Sequence, residues 1–172
     1  RGGATGSTSW LTPANITTSA RIRIVDPDVY NEGSPDPATY NDSGDFEIRG
    51  SITNTAPISS DKWGVGTTQD IKWTYKGNLD KVNIFYSYNA GSDWYPVASN
   101  QNVGSNHSGT YPWTILDIPE IKCSAEGVIR VQNVEVGAVV DDSAEFTVRG
   151  SLTLTAPNNS GITMKVYKTD PD

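Results

Sequence analysis

Groups that could act as acids, bases or nucleophiles are sparse in this sequence. The single histidine, His107, lies in a stretch rich in Ser, Asn and Gly, without an acid or nucleophile at a recognisable spacing. A catalytic histidine needs such partners to orient it and to exchange its proton. Asp and Glu pairs occur, but a glycosidase holds its two carboxylates across a cleft, for which a chain of this size and pattern offers little room. We therefore expect no catalytic residue and no enzymatic activity.

Acidic residues gather in one Pro- and Gly-rich stretch, and calcium is the ion that would suit them. Asp26, Asp28, Glu32 and Asp36 all fall within it. Calcium takes about six to eight oxygen ligands from carboxylates and carbonyls. The spacing matches neither an EF-hand nor a nonapeptide repeat, so a solvated acidic loop is the simpler interpretation. Asp26, Asp28 and Asp36 remain the calcium candidates, and no other cofactor is expected.

One short stretch has the composition of a self-contained turn. Ser87, Asn89, Gly91 and Trp94 follow the pattern Ser-x-Asn-x-Gly-x-x-Trp. The short polar side chains can bind backbone N–H groups, the glycine can take a positive φ, and the indole can fold over the loop. The stretch is similar to the Asp-box of sialidase-type propellers, with Asn89 where the Asp would be. That element is structural, so the resemblance implies a hairpin turn rather than a ligand site.

Four Asn-x-Ser/Thr sequons could carry N-linked glycans if the source glycosylates secreted proteins. Because Ser, Thr and Asn are abundant here, several could arise by chance. The one in the polar loop around His107 is the best placed acceptor. The sequons give slight support to an extracellular location. Their acceptors are Asn15, Asn41, Asn106 and Asn158.

The elements that would position these residues are strands, and one strand sequence occurs twice. The stretch from Asp45 to Pro57 returns one hundred residues later, from Glu145 to Pro157, with eight of thirteen positions identical. An Asp-Ser pair precedes each copy. Apolar and polar residues alternate within both, which is strand periodicity. A period of this length predicts a tandem repeat of about 100 residues.

The period divides the chain into three segments. Residues 1–50 align with 104–150 and look like the C-terminal half of a unit, whose longer Pro-rich loop accounts for the extra length. Residues 51–150 make one complete unit, with about seven short strands and no helical period. This pattern predicts an all-β fold, specifically an Ig-like β-sandwich. Residues 151–172 would supply the first strand or strands of a further unit.

Alternation within the strands predicts which side chains form the core. In the first segment, Ile22 and Ile24 should point inward. Trp73 and Trp113 stand in the same kind of alternation, so they are predicted to be buried rather than to bind a ligand. The other side chains assigned to inward faces are Ile71, Tyr75, Val82, Ile84 and Tyr86.

The order of these residues resembles a known family. The motifs Trp63-Gly-x-Gly, Ile71-Lys-Trp73, Val82-x-Ile84-x-Tyr86 and Ile129-Arg-Val131 look like those of Ig-like, fibronectin-type β-sandwich repeats in large prokaryotic surface or secreted proteins. The chain is also similar to the Ser/Thr-rich β-sandwich domain of fungal cell-wall proteins. Such domains mostly serve as spacers, stalks or polymer units, and the resemblance implies that role here.

Composition argues against several partners. Lys+Arg 13 against Asp+Glu 20 gives a net charge of −7, which is unsuited to a nucleic-acid backbone. No apolar run is long enough to span a bilayer, so membrane insertion is not expected. The single Cys123 cannot form an intrachain disulfide and leaves the cellular compartment open.

The leading hypothesis is a structural segment of an extracellular surface, stalk or filament protein. Its partners would be adjacent repeats or neighbouring copies of itself. A C-terminal strand from one copy could complete the N-terminal half-unit of the next, and such contacts propagate head to tail. The seam at Gly150 has almost no linker, which favours a stiff rod. The alternative is a carbohydrate-binding or adhesive module that contacts surface glycans through exposed aromatic rings at Tyr30, Tyr40, Trp63, Tyr95 or Tyr111.

Overall fold

The computed structural model describes residues 6–33 and 36–152, and this part of the chain contains strands and no α-helix. The all-β prediction is therefore confirmed. Residues 6–50, the N-terminal segment, contain β1 (Thr17–Ala20), β2 (Arg23–Val25), a 3₁₀ turn (Pro37–Thr39), β3 (Tyr40–Asp42) and β4 (Phe46–Ile48). Residues 51–149 contain β5 (Ser51–Ala56), β6 (Lys62–Gly64), β7 (Thr68–Lys76), β8 (Lys81–Ser87), β9 (Tyr95–Asn102), β10 (Ser108–Thr114), β11 (Ser124–Asn133), β12 (Val140–Asp142) and β13 (Phe146–Arg149).

Residues 51–149 form two sheets that share one core, as in a β-sandwich, and we refer to them as the sandwich. The smaller sheet has the order β10-β7-β5. The larger has the order β6-β13-β11-β8-β9, with β12 also paired to β11. All these pairs are antiparallel except that of β6 with β13, which is parallel. The apolar side chains of both sheets belong to a single cluster, which is how two packed sheets exclude water.

Strand alternation produces this core. Ile71 and Trp73 of the smaller sheet face Val82, Ile84 and Tyr86 of the larger one, and all five are buried as predicted. Burying each such side chain contributes on the order of 2 kcal/mol. The indole N–H of Trp73 is not left unpaired, since it donates to the carbonyl of Val103 at 2.9 Å.

The N-terminal segment consists of two short antiparallel ribbons. β1 pairs with β4, so that Thr17 lies opposite Ile48 and Ala20 opposite Phe46. β2 pairs with β3 through Arg23 opposite Asp42, Ile24 opposite Asn41 and Val25 opposite Tyr40. In the sandwich, β11 pairs in the same way with β13 and then with β12. Those partners are Ser124 with Val148, Gly127 with Phe146, Arg130 with Asp142, Val131 with Asp141 and Gln132 with Val140.

The structure departs from the sequence prediction mainly at strand ends and in the N-terminal segment. Ile22 and Ile24 were predicted to point inward, but their side chains are 42% and 73% exposed, because no second sheet in the described residues covers them. β9 extends to Asn102, into a stretch predicted as a loop. β6 includes Trp63 and Gly64, and the turn begins only after it, at Val65 and Gly66.

Candidate functional site

His107 occupies a tight turn. Asn106 and His107 both have positive φ (49° and 59°) in the connection between β9 and β10, which lie in different sheets. Ser105 and Ser108 close the turn around them through two backbone hydrogen bonds of 3.0 Å. The imidazole meets the ring of Tyr75 edge-on, with 5.4 Å between ring centroids. The contacts of His107 are therefore those of a structural turn residue.

The three calcium candidates lie in the exposed loop between β2 and β3. Asp26 is engaged in a local turn, since its carboxylate accepts the N–H of Asp28 at 3.1 Å. Asp36 bonds through its backbone carbonyl to Thr39. Nowhere in residues 6–33 and 36–152 do three His, Cys, Asp or Glu side chains come close enough to hold a metal ion. The structure does not gather Asp26, Asp28 and Asp36 into such a site.

The stretch from Ser87 to Trp94 closes a turn through its own polar groups. Ser87 Oγ accepts the N–H of Gly91 at 2.9 Å and that of Asn89 at 3.3 Å. Asn89 Oδ1 accepts the N–H of Asp93 at 2.9 Å. Gly91 has φ of 86°, and a methyl group added to it would lie 3.2 Å from the indole of Trp94. Both the glycine and the tryptophan are thus fixed by the shape of the turn.

Trp94 connects this turn to the outer face of the larger sheet. The guanidinium of Arg130 lies 4.0 Å from the centre of the indole ring, a cation–π contact. The same guanidinium donates two hydrogen bonds of 2.7 Å to Asp142. This charge-assisted bonding raises the pKa of Arg130 above its ordinary value. The turn, β11 and β12 are therefore held by one chain of contacts.

The N-terminal segment repeats this arrangement at Arg23. Its guanidinium donates to both oxygens of Asp42, at 2.6 and 2.8 Å, and lies 4.1 Å from the centre of the Tyr40 ring. The hydrogen bond from Arg23 lowers the pKa of Asp42 below its usual 3.8. In both places an arginine thus bonds to an aspartate of the paired strand and stacks on an aromatic ring, but Tyr40 lies on β3 whereas Trp94 lies in the turn between β8 and β9.

The Asp-Ser pairs found in the sequence also make equivalent bonds. Ser143 Oγ accepts the N–H of Ile129 at 3.0 Å and donates to the carbonyl of Ala144. Ser43 Oγ accepts the N–H of Ile22 at 3.0 Å and donates to the carbonyl of Gly44. In each case the serine follows the second strand of a pair and bonds back to the first, at Ile129 in β11 or at Ile22 just before β2.

Of the aromatic residues considered for sugar stacking, Trp63 was wrongly placed at the surface. It is only 6% exposed, and its ring centroid lies 4.8 Å from that of Phe146 in the core. The alternation rule missed it because it lies in the short parallel strand β6. Tyr30 and Tyr40 contact each other edge-on, with 6.0 Å between ring centroids. Tyr95 and Tyr88 lie 5.7 Å apart with their rings tilted by 32°.

The seam between the N-terminal segment and the sandwich is a set of close contacts that sequence reasoning did not locate. Asn78 donates its backbone N–H to the carbonyl of Ala14 at 2.8 Å. Ile16 packs against the sandwich core. A methyl group on Gly50 would lie 2.7 Å from the carbonyl of Lys76. The seam therefore requires a residue without a side chain at Gly50.

An open, mostly apolar cleft of about 370 Å³ runs beside these contacts. Residues of β1 and β4, including Ile48, form one wall. The other wall is the loop before β12, from Glu135 to Val139. The cleft therefore lies between the N-terminal segment and the sandwich.

The N-terminal segment also has an apolar face that nothing in the described chain covers. It consists of Trp10, Ile22, Ile24 and Phe46, and we call it the uncovered face. Trp10 meets Phe46 edge-on with 6.2 Å between ring centroids, yet remains 51% exposed. The residues of the sandwich at the corresponding register positions, Ile129, Val131 and Phe146, are at most 1% exposed.

The sequons are accessible where they are described. Asn15, Asn41 and Asn106 are exposed, and Asn15 accepts a long hydrogen bond from the side chain of Asn78 at the seam. Asn158 and most of the predicted third segment lie outside the described residues. No helix within the described ranges is long and apolar enough to cross a membrane.

A comparison of the chain with protein-family models finds no match. A comparison with curated proteins finds none either.

Proposed function

We propose that the chain is a structural repeat segment, made of Ig-like β-sandwich units of about 100 residues, from an extracellular surface, stalk or filament protein. The main support is the register shared by two parts of the chain. The ribbons of the N-terminal segment pair at positions equivalent to those of β11, β12 and β13. The Arg–Asp pairs and the Asp-Ser contacts recur with them. On this proposal, the N-terminal segment is the C-terminal half of a unit.

The topology of the sandwich supports the Ig-like part of the proposal. A three-stranded antiparallel sheet faces a larger sheet in which β11 is central and β13 lies beside it. Connections that cross from one sheet to the other, as from β7 to β8 and from β10 to β11, are typical of Ig-like sandwiches. In the sandwich, no three His, Cys, Asp or Glu side chains are placed to hold a metal ion.

The parallel pair of β6 and β13 supports a load-bearing role. β6 lies near the start of the sandwich and β13 at its end, so tension between the two ends would slide these strands past each other. Val65 N–H donates to the carbonyl of Arg149, and Thr147 N–H donates to that of Asp61. Because these bonds lie across the strands, they would share the load instead of breaking one at a time.

Single-molecule pulling on the chain, held at its two ends, tests this proposal. Val65→Pro removes one N–H donor of the parallel pair, and we expect it to lower the force at which the sandwich unfolds. Leu116→Pro, in the loop that follows β10, is the matched control and should leave that force unchanged. Equal unfolding forces for Val65→Pro and the unmodified chain would contradict a load-bearing role.

A glycan array with the intact chain separates the structural role from the carbohydrate-binding alternative. A spacer should retain no glycan. Retention that is lost on Tyr30→Ala or Tyr95→Ala would instead support an adhesive module.

A further inference from the structure

The uncovered face has a counterpart in the sandwich whose cover is visible. There, β5 of the smaller sheet lies against the ribbon of β11 and β12. Asn54 of β5 donates its backbone N–H to Asp141 Oδ2 at 2.7 Å and its side-chain amide to the Asp141 carbonyl at 2.6 Å. Ile52 of the same strand is buried in the core. A strand with the sequence of β5 is thus what a face of this kind accepts.

The chain contains a second copy of that strand sequence. Ser151-Leu-Thr-Leu-Thr-Ala-Pro157 repeats the Ser51-Ile-Thr-Asn-Thr-Ala-Pro57 stretch that forms β5. Leu152 stands at the position of Ile52, but it is fully exposed. Within the described residues, Leu152 therefore lacks the cover that Ile52 has in the sandwich.

The differences between the two copies match the differences between the two faces. Leu154 stands where β5 has Asn54, the residue that bonds to Asp141. The register equivalent of Asp141 in the N-terminal segment is Asn41, which lies opposite the exposed Ile24. An apolar residue at position 154 would therefore suit the apolar Ile24. A polar residue there would find no carboxylate, because Asn41 stands in place of Asp141.

The two features lie at opposite ends of the sandwich. The N-terminal segment contacts the turn between β7 and β8, which is also where β11 ends. β13 leaves the sandwich beside the start of β11. β11 has 10 residues, so the two ends are separated by about 30 Å. This geometry places the C-terminal segment of one molecule toward the N-terminal segment of the next.

We propose that the uncovered face binds residues 151–172 of a second copy of this chain, with Leu152 and Leu154 against Ile22, Ile24 and Phe46. This is β-strand addition by one chain to another. It rests on the proposed function, since it takes the N-terminal segment to be an incomplete sandwich unit. The contact joins two different surfaces, so successive copies add head to tail into a filament.

Sedimentation velocity of the intact chain over a range of concentrations tests the contact. We expect open-ended oligomers that lengthen with concentration. A double variant, Leu152→Asp with Leu154→Asp, should weaken association at least about tenfold, because it places charges against an apolar face. Leu116→Asp changes an exposed leucine elsewhere and should leave association unchanged. A free peptide of residues 151–172, added to the intact chain, should shorten the oligomers and shift the fluorescence of Trp10.

Several results would overturn the proposal. An intact chain that stays monomeric at every concentration would do so, as would equal association by the double variant. A monomer in which the tail protects Trp10 within its own chain would exclude the second copy. The proposed function fails differently: tail docking can fail while the seam stays rigid and the sandwich resists force. A flexible seam together with a sandwich that unfolds at low force would instead contradict the structural role itself.

Discussion

At the scale of single residues, Gly91 is fixed by the shape of a turn and Tyr86 by its place in the core. Gly91 combines a positive φ with a close approach to Trp94, and Tyr86 combines complete burial with a hydrogen bond from its hydroxyl to the Lys122 carbonyl at 2.8 Å. The pattern Ser-x-Asn-x-Gly-x-x-Trp was sufficient to predict a turn at the first site. It could not predict the stacking of Trp94 on Arg130, because those residues meet only when β9 and β11 belong to one sheet.

Gly91→Ala should destabilise the sandwich more than the same change at Gly66. Both glycines have positive φ, 86° and 84°, but a methyl group meets the Trp94 indole at Gly91 and nothing within 4 Å at Gly66. We expect a loss of about 1 kcal/mol at Gly66 from the backbone alone, and roughly 1 kcal/mol more at Gly91. Urea unfolding of both variants measures the difference. Equal losses would mean that Trp94 does not constrain the turn.

Tyr86 should make the sandwich sensitive to alkali. Burial raises the pKa of its phenol above the ordinary 10.0, so its contribution to stability is complete below pH 10 and is lost as the pH rises through the higher folded value. Tyr86→Phe should cost about 1 kcal/mol at neutral pH, because the Lys122 carbonyl loses its donor. It should also flatten the fall in stability above pH 10.

Urea midpoints between pH 7 and 11 provide the measurement. Tyr75→Phe, which removes a weaker hydrogen bond of 3.3 Å to the Gly104 carbonyl, serves as the control and should keep the alkaline fall. An unchanged alkaline fall in Tyr86→Phe would show that another group is responsible.

At the scale of strands, alternation predicted the long central elements well. Apolar and polar residues alternate through most of β7 and β8, and Ile71, Trp73, Val82, Ile84 and Tyr86 are buried as that pattern requires. Tyr75, near the end of β7, was also predicted to point inward but is only half-buried. Alternation failed at β6, which has only three residues and pairs in parallel with a distant strand. It also failed for Ile22 and Ile24, since a sequence pattern reports which face is apolar and not whether a second sheet covers that face.

Ser43 and Ser143 should contribute differently to the free energy of unfolding although they make equivalent hydrogen bonds. Ser143→Ala leaves the amide of the fully buried Ile129 without its acceptor, which should cost about 1–2 kcal/mol. Ser43→Ala leaves the amide of the half-exposed Ile22 free to bond with water, so its cost should be below about 0.5 kcal/mol. Urea unfolding with tryptophan fluorescence compares the variants. A larger loss for Ser43→Ala would contradict the difference in burial between the two ribbons.

At the scale of the whole molecule, the seam determines how the N-terminal segment is held. The sequence predicted that successive units are joined with almost no linker, as at Gly150. It did not indicate that Ala14 and Asn78 bond across the junction or that Ile16 enters the core, since these residues are far apart in sequence and have no distinguishing pattern. Long-range contacts of small and mixed residues are the part that only the structure provides.

Gly50→Ala should loosen the seam. A methyl group there would lie 2.7 Å from the Lys76 carbonyl and 2.9 Å from Leu79, whereas at Gly150 its nearest neighbour would be Cys123 Sγ at an ordinary 3.6 Å. We expect the Asn78 amide, which bonds to Ala14, to exchange its hydrogen about tenfold faster in Gly50→Ala. Gly150→Ala should leave that exchange rate unchanged. Equal exchange rates in both variants would show that close packing at Gly50 does not hold the seam.

The central claim is that the chain is a rigid structural segment, and the distance across the seam tests it most directly. Spin labels on Cys123, which is exposed, and on Gly44→Cys, where a side chain meets nothing within 4 Å, report that distance by pulsed electron paramagnetic resonance in spin-diluted samples. We expect a single narrow distance distribution that broadens when a Gly-Ser-Gly-Ser linker follows Gly50. A broad distribution in the unmodified chain, or no broadening with the linker, would contradict a rigid structural segment.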